Sequence, residues 1–419
     1  MQSASIDANS KNNDVIVLSP TGSGKTLAFL LPLLQTLDVN KDTIQALVLT
    51  PSRELALQTE DVFKRMKTGF KVNSCYGGHN VKIEINNLSQ APALLIGTPG
   101  RIADLVDRGV LNLKEVSAVV LDEFDKSLEY GFQDQMSFIM GKLPGLTKRI
   151  LTSATNAETI PGFAGVKKPI RLNFLQTSTT NAKLEVKQVI SDENDKLNTL
   201  LKLVCKTGNK PMLVFLNHRE AVERVSEFFE EKGMVHSFFH GGLEQFERER
   251  TIAKFRNGSC PILITTDLAS RGLDIPEIEY VVHYHLPLNE EAYTHRNGRT
   301  ARMHAKGMVY ILLSGEEKLP DFIKDKIPVE RLQDQNSLPK KPEWVTLYIG
   351  KGKKDNINKV DIVGFLCKKG QLDKSELGLI EVKDTFAYVA VRRNKANELI
   401  QLVKEEKLKN QKVKIDLAK

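Results

Sequence analysis

The chain of 419 residues is predicted to be an α/β protein: two parallel-sheet domains in tandem, followed by a small α+β domain of ferredoxin-like order. Three observations predict this. A glycine-rich turn, Ser19-Pro20-Thr21-Gly22-Ser23-Gly24-Lys25-Thr26, stands between the apolar run Val15–Leu18 and the helical run Leu27–Leu31. Short, continuously apolar segments alternate with helical patterns through two successive stretches, as parallel strands covered on both faces do. A third stretch, beginning at Trp344, orders its elements as β-α-β-β-α-β.

In the first stretch the strands are Val15–Leu18, Ala46–Leu49, Ala93–Ile96, Ala118–Leu121 and Arg149–Thr152; in the second they are Met212–Leu216, Ile262–Thr265, Tyr280–Tyr284 and Met308–Leu313. The polar segment Gln176–Asn181 lacks apolar periodicity and is read as a hinge. A second break, Gln333–Pro342, precedes the tail. The expected domains are therefore 1–175, 182–330 and 343–419. No repeat of solenoid length is present.

Composition narrows the class further. With 41% hydrophobic and 27% charged residues the chain is an ordinary globular one. No apolar run approaches the roughly 18 residues of a membrane span, and the N-terminus lacks a basic-then-apolar leader pattern, so a cytoplasmic location without membrane contact is expected. Its four cysteines, Cys75, Cys205, Cys260 and Cys367, form no C-x-x-C pair, which argues against a zinc site or a disulfide framework. Charge is unevenly placed. Residues 341–419 hold eighteen Lys and Arg against eleven Asp and Glu, a net +7 of the chain's +8. Such a tail is either a surface for a polyanion, most simply nucleic acid, or a solvated basic face.

The glycine-rich turn is a phosphate cradle. Backbone N–H groups of Thr21, Gly22, Ser23 and Gly24 and of the helix start point at phosphate oxygens, Lys25 supplies a cation to the β- and γ-phosphates, and the Thr26 hydroxyl ligates Mg²⁺. ATP with Mg²⁺ is the expected ligand. Val119–Leu121 runs into Asp122-Glu123-Phe124-Asp125, a strand ending in carboxylates. Asp122 there could hold Mg²⁺ through water and Glu123 orient or deprotonate the attacking water; the alternative is an acidic helix start. After the next strand, the hydroxyls of Ser153 and Thr155 could bond Asp125 and sense the nucleotide. Arg53, the pair Gly77-Gly78, and Thr98, Gly100 and Arg101 follow strands or sit in nearby loops, offering N–H, hydroxyl and guanidinium groups to a phosphodiester chain.

In this order and spacing the motifs closely resemble the DEAD-box family of ATP-dependent RNA helicases, over nearly all of residues 1–320. The resemblance implies two RecA-like domains and an RNA-stimulated ATP hydrolase. The signature Asp-Glu-Ala-Asp stands here as Asp122-Glu123-Phe124-Asp125, so all three carboxylates are kept and Phe124 must be accommodated by packing. Gln2 matches the glutamine by which the family reads adenine. The aromatic residue expected upstream is absent, so either the chain starts late or adenine selection is weakened. In the second domain Arg219, Gly241, Gln245 and Arg248 match RNA-facing and coupling motifs. Thr265–Asp274 matches the motif touching both ligands, with Thr266 toward RNA and Gly272 and Asp274 toward the nucleotide. His295–Arg302 matches the arginine motif, Arg299 and Arg302 being the γ-phosphate contacts. Asn297, Ala301 and His285 depart from the family pattern. The cradle and the arginines thus lie on different domains, and hydrolysis is expected to require closure.

In the tail, Val345–Gly350 and Thr385–Val391 are expected as strands, Lys359–Lys368 and Ala396–Glu406 as helices. Their order and the run Gly350–Asp355 resemble the RNA-recognition-like domain of the DbpA subgroup of bacterial DEAD-box proteins, which implies 23S ribosomal RNA or large-subunit precursor particles as the partner of a monomeric enzyme. Lys351, Lys353 and Lys354 are expected RNA contacts. Tyr348, with Phe386 and Tyr388, either stacks on bases or packs against a neighbouring helix. Unwinding of structured RNA is the leading activity; an ATP-gated RNA clamp and a DNA helicase are the alternatives.

Overall fold

Val, Ile and Leu runs of four or five residues are too short for helices and too uniformly apolar to face water on either side, so they form the central strands of covered sheets. The computed structural model describes residues 1–20, 23–78, 81–155, 160–175, 184–192, 195–270, 275, 278–300, 307–323, 326–333 and 337–418. The expected hinge, Gln176–Asn181, lies outside the described residues, as do Thr21, Gly22, Gly272, Asp274, Ala301 and Arg302.

The first body comprises α1 (Gln2–Lys11), β1 (Asp14–Leu18), α2 (Lys25–Leu34), β2 (Ala46–Leu49), α3 (Arg53–Arg65), β3 (Val72–Cys75), α4 (Val81–Asn87), β4 (Leu94–Gly97), α5 (Pro99–Asp107), β5 (Ala118–Leu121), α6 (Phe124–Glu129), α7 (Gln133–Gly141), β6 (Lys148–Ser153) and β7 (Ile170–Asn173). Its sheet is parallel with order β3-β4-β2-β5-β6-β1-β7. Side chains alternate across it: Leu47 and Leu49 join one buried layer, Ala46 and Val48 the other. Phe124 is accommodated in the first of these layers at 2% exposure.

The second α/β body comprises β8 (Leu184–Ile190), α8 (Leu197–Thr207), β9 (Met212–Phe215), α9 (Arg219–Glu231), β10 (His236–Phe239), α10 (Gln245–Arg256), β11 (Ile262–Thr265), β12 (Tyr280–His283), α11 (Glu290–Asn297) and β13 (Gly307–Leu313), its parallel sheet ordered β10-β11-β9-β12-β13-β8. Every centrally placed strand in both sheets is one the sequence predicts, within a residue or two. Absent from that reading are β3, β7, β8 and β10, and these are the four edge strands. An edge strand is only half covered, so it carries mixed residues such as the Val-Asn-Ser-Cys of β3 rather than an apolar run.

The tail adds β14 (Trp344–Ile349), α12 (Lys359–Lys368), β15 (Leu377–Val382), β16 (Ala387–Arg392), α13 (Ala396–Val403), the short hairpin β17 (Lys407–Leu408) and β18 (Gln411–Lys412), and β19 (Ile415–Leu417). The sheet is antiparallel in the order β15-β16-β14-β19, the ferredoxin-like arrangement. Leu347, Ile349, Val389 and Val391 pack inward with α12 and α13. Alternation sends Tyr348 and its register partner Tyr388 to the other face.

That other face is covered. Phe246 of α10 sets its ring 5.3 Å from Phe386, 5.9 Å from Tyr348 and 6.5 Å from Tyr388. Asn257 and Ser259, just after α10, bond the Thr346 hydroxyl at 2.8 and 2.5 Å. Of the two alternatives for the tail aromatics, packing against a neighbouring helix is therefore the one seen. Tyr348 thus meets Phe246 edge-on, on the face that the sequence also offers to bases.

All four cysteines are free thiols, and burial, helped by Glu84, pushes the Cys75 thiol up to about 12. Among the described residues no helix is long and apolar enough to cross a membrane.

Candidate functional site

In the first body β5, β6 and β1 are sheet neighbours, so the loops leaving their C-terminal ends meet at one edge, where doubly wound folds bind ligands. Lys25 opens α2 and is buried; its Nζ donates to the Ser19 carbonyl at 2.8 Å. Ser19 and Ser23 hydroxyls are 2.6 Å apart. The Gln2 amide donates to the Gly24 carbonyl at 3.4 Å, so the adenine-reading candidate lies against the phosphate loop.

Asp122 and Glu123 directly follow β5 at 3% exposure each. Burial and the neighbouring Glu123 push the Asp122 carboxyl up to about 6, against the opposing pull of Thr152 and Lys25. A buried carboxylate in that state gains from a cation. Glu123 Oε2 and Asp125 Oδ1 are buried without a hydrogen-bond partner in the structure, which leaves acceptor capacity beside Asp122. Among the described residues no group of three or more His, Cys, Asp or Glu is arranged to hold a metal by itself. The donor set fits Mg²⁺, which keeps most of its waters and takes one or two carboxylates plus phosphate oxygens.

Asp125 is bonded as the sequence suggests: Ser153 Oγ and Thr155 Oγ1 donate to its Oδ2 at 3.0 and 2.9 Å. Thr152, to which that reading gave no part, donates to Asp122 Oδ1 at 2.5 Å and accepts the Glu123 N–H at 3.1 Å.

The two bodies repeat one arrangement. Arg53 begins α3 and its guanidinium lies across Gly78, whose φ of +99° favours glycine there. Arg219 begins α9, and a Cβ on Gly241 would stand 3.1 Å from its Nη2. Each pair joins two RNA-facing candidates. Thr98 caps α5, with Gly100 in its first turn. The Arg101 guanidinium pairs with Glu84 at 2.7 Å, with side chains 10% and 2% exposed, and so ties α5 to α4. A buried carboxylate without its cation is costly, and the pair offsets that cost.

In the second body Gln245 Nε2 bonds Glu249 at 3.1 Å, and Arg248 lies over the Phe239 ring, 5.6 Å from its centre. Thr266, half-buried, follows β11 and donates its N–H to Phe239 O at 3.4 Å. Arg296 is fully buried, bonded to Asp267 at 2.6 and 3.0 Å, to Asn217 at 2.8 Å and to His285 O at 2.8 Å. Arg299, expected at the γ-phosphate, is 3% exposed. The family departures find structural partners: His283 Nε2 meets Asn297 Oδ1 at 2.8 Å, and His285 Nδ1 accepts the Asn217 N–H at 3.2 Å.

In the tail, Lys353 and Lys354 are exposed, and their N–H groups bond Lys383 O and Asp384 O at 2.9 and 2.8 Å. Gly352 lies so close to this backbone that a Cβ would stand 2.6 Å from Asp384 O. Lys351 is held by Asp355 at 2.7 Å. A loop held by these bonds thus presents two exposed cations.

Comparison with known proteins follows these bodies. The DEAD/DEAH box helicase model matches residues 1–161, the helicase conserved C-terminal domain 195–304, and the DbpA RNA binding domain 346–417. The chain is 32% identical to the ATP-dependent RNA helicase DbpA of Escherichia coli and 29% identical to that of Bacillus subtilis, in each case over 100% of this chain and 94% of the relative. Saccharomyces cerevisiae Dbp5 bound to RNA and ADP BeF3 superposes with a TM-score of 0.67 at 29% identity, covering 75% of this chain and 83% of that one.

Proposed function

The chain belongs to the DEAD-box family of ATP-dependent RNA helicases, and on that premise we propose that it remodels structured ribosomal RNA, 23S RNA in large-subunit precursors, as a cytoplasmic monomer. The observation that carries this reading is the joining, in one chain, of a two-body RecA-like helicase to a tail that matches the DbpA RNA binding domain and holds +7 of the +8 net charge. The domains are taken as 1–175, 182–330 and 343–419.

Lys25 supplies the cation for the β- and γ-phosphates of ATP, with Ser23, Gly24 and Gln2 on the loop and adenine. Thr26 and Asp122 hold Mg²⁺, which neutralises charge developing on the phosphates when bound. Glu123 orients or deprotonates the attacking water. Asp125 with Ser153 and Thr155 relays the state of the site. Arg299 and Arg302, both within the 182–330 segment of the sequence, add positive charge where the γ-phosphate leaves; an arginine in that role is worth roughly 10³–10⁵ in rate. Arg53, Gly78, Arg219, Gly241 and Thr266 hold the RNA backbone, and Lys353 and Lys354 the structured element.

The test is ATP turnover with 23S RNA fragments, generic RNA, DNA or no nucleic acid, beside release of a strand from an RNA duplex. Turnover is expected to be lowest without RNA and half-maximal at the lowest concentration for a subset of 23S fragments. Equal stimulation by DNA would overturn the RNA assignment; identical response to every RNA would overturn the ribosomal one. Turnover without strand release would replace remodelling by an ATP-gated clamp.

A further inference from the structure

We propose that Thr152 is a positioning residue of the nucleotide site, its one hydroxyl fixing both the Asp122 carboxylate and the Glu123 peptide for hydrolysis. This rests on the roles given above to Asp122 and Glu123. Strands β5 and β6 pair in register through Leu121 and Leu151, so the next residues, Asp122 and Thr152, face each other where β5 ends. Thr152 is fully buried. Its hydroxyl has one proton and two lone pairs. The proton is committed to Asp122 Oδ1 at 2.5 Å, and a lone pair takes the Glu123 N–H at 3.1 Å.

The second bond matters because Glu123 has φ +46° and ψ 52°, the left-handed region that side chains other than glycine rarely adopt. Nothing in the β5–β6 ladder holds that peptide, since the ladder ends at Leu121. The turn aims Glu123 into the site, and Thr152 pins the turn. Division of labour with its neighbours is clean: Ser153 and Thr155 serve Asp125, whereas Thr152 serves Asp122 and Glu123. A threonine needed only for volume could be valine, which fills the same space and makes neither bond.

The experiment compares Thr152→Val, Thr152→Ala and Thr152→Ser in the full chain, with Glu123→Gln as reference. Amide exchange at Glu123 is read in nucleotide-free protein, and kcat and KM for ATP are read at saturating RNA. Thr152→Val and Thr152→Ala should lower kcat about 10- to 100-fold, the penalty for a misplaced catalytic group, with KM within about threefold. In both, the Glu123 amide should exchange at least about tenfold faster while the rest of the sheet stays protected. Thr152→Ser should restore both readouts. Unchanged turnover or unchanged Glu123 exchange in folded Thr152→Val or Thr152→Ala overturns the proposal, as does a Thr152→Ser that fails equally. Normal turnover in Glu123→Gln would instead overturn the roles on which the proposal rests, and the exchange data would still report the contact by itself.

Discussion

His283 and Asn297 hold each other across the second body, the imidazole Nε2 lying 2.8 Å from the amide Oδ1 with both side chains buried. Nδ1 of the same ring faces Arg296 Nη1 at 3.5 Å, which places the imidazole proton on Nε2 as donor to Asn297. Asn297, a departure from the family pattern, is thus matched by a polar partner on β12.

Replacing Asn297 with Ile should destabilise the chain by about 1–3 kcal/mol, since it strands a buried imidazole N–H. Pairing Asn297→Ile with His283→Val should recover part of that loss. Denaturant midpoints of the two single variants and the double variant check this; strict additivity would sever the link between the two residues.

Both histidines make stability depend on pH. Burial and Arg296 hold the His283 pKa down at about 3, and burial with Lys196 holds His285 at about 4, against an ordinary 6.5. Below pH 6.5 the unfolded chain takes up protons that the folded chain refuses. The contribution is therefore whole above pH 6.5 and is lost as pH falls toward 4 and then 3, by about 1.4 kcal/mol per pH unit for each group. Urea unfolding at pH 7 and pH 5 measures it, and His283→Gln should flatten the slope.

Lys25→Ala should weaken ATP binding and abolish turnover, while Glu123→Gln should keep ATP and RNA binding and lose at least about two orders of magnitude in hydrolysis. A fluorescent ATP analogue and a phosphate-release assay separate the two. RNA-stimulated turnover at the normal rate in Glu123→Gln would remove it from the chemistry.

Phe246→Ala should loosen the tail domain by about 1–2 kcal/mol through its ring contacts with Tyr348, Phe386 and Tyr388. Limited proteolysis around residues 333–342 should speed up. Tyr348→Ala should behave in the same way and change RNA affinity far less than Lys353→Ala with Lys354→Ala does. The reverse ranking would place Tyr348 at the RNA interface.

Removing residues 341–419 should reduce the salt dependence of RNA affinity, because a net +7 leaves with them, and should raise the RNA concentration that ATPase needs. Maximal turnover on saturating generic RNA should persist. Binding of 23S fragments at several salt concentrations, by both forms, tests this. A preference among fragments that survives truncation would place recognition outside the tail.

What could be read along the chain was whatever physics writes locally. Central strands are covered on both faces, so β2 and β5 are unbroken apolar runs and β1 is one after Asp14, and the candidate phosphate loop has its glycines and lysine as neighbours in sequence. The Asp125 partners were also within reach, since small hydroxyls at the end of the following strand have few other uses. By contrast, β3, β7, β8 and β10 carry no such signature, because an edge strand gains its place from one neighbour and leaves one side to solvent or loops.

The remaining decisions were tertiary. Glu84 lies seventeen residues from Arg101, and only the packing of α4 on α5 turns that arginine inward. Thr152 meets Asp122 because β5 and β6 pair in one register, and a shift of one residue would send its hydroxyl to the other face of the sheet. His283 and Asn297 lie on separate elements whose meeting follows from how α11 packs on the sheet. For the tail aromatics, alternation along β14 and β16 determined that Tyr348 and Tyr388 share a face. What covers that face, Phe246, was settled only when α10 came to lie on it, because the free energy of burying an aromatic ring depends on which surface arrives and not on the strand that bears it.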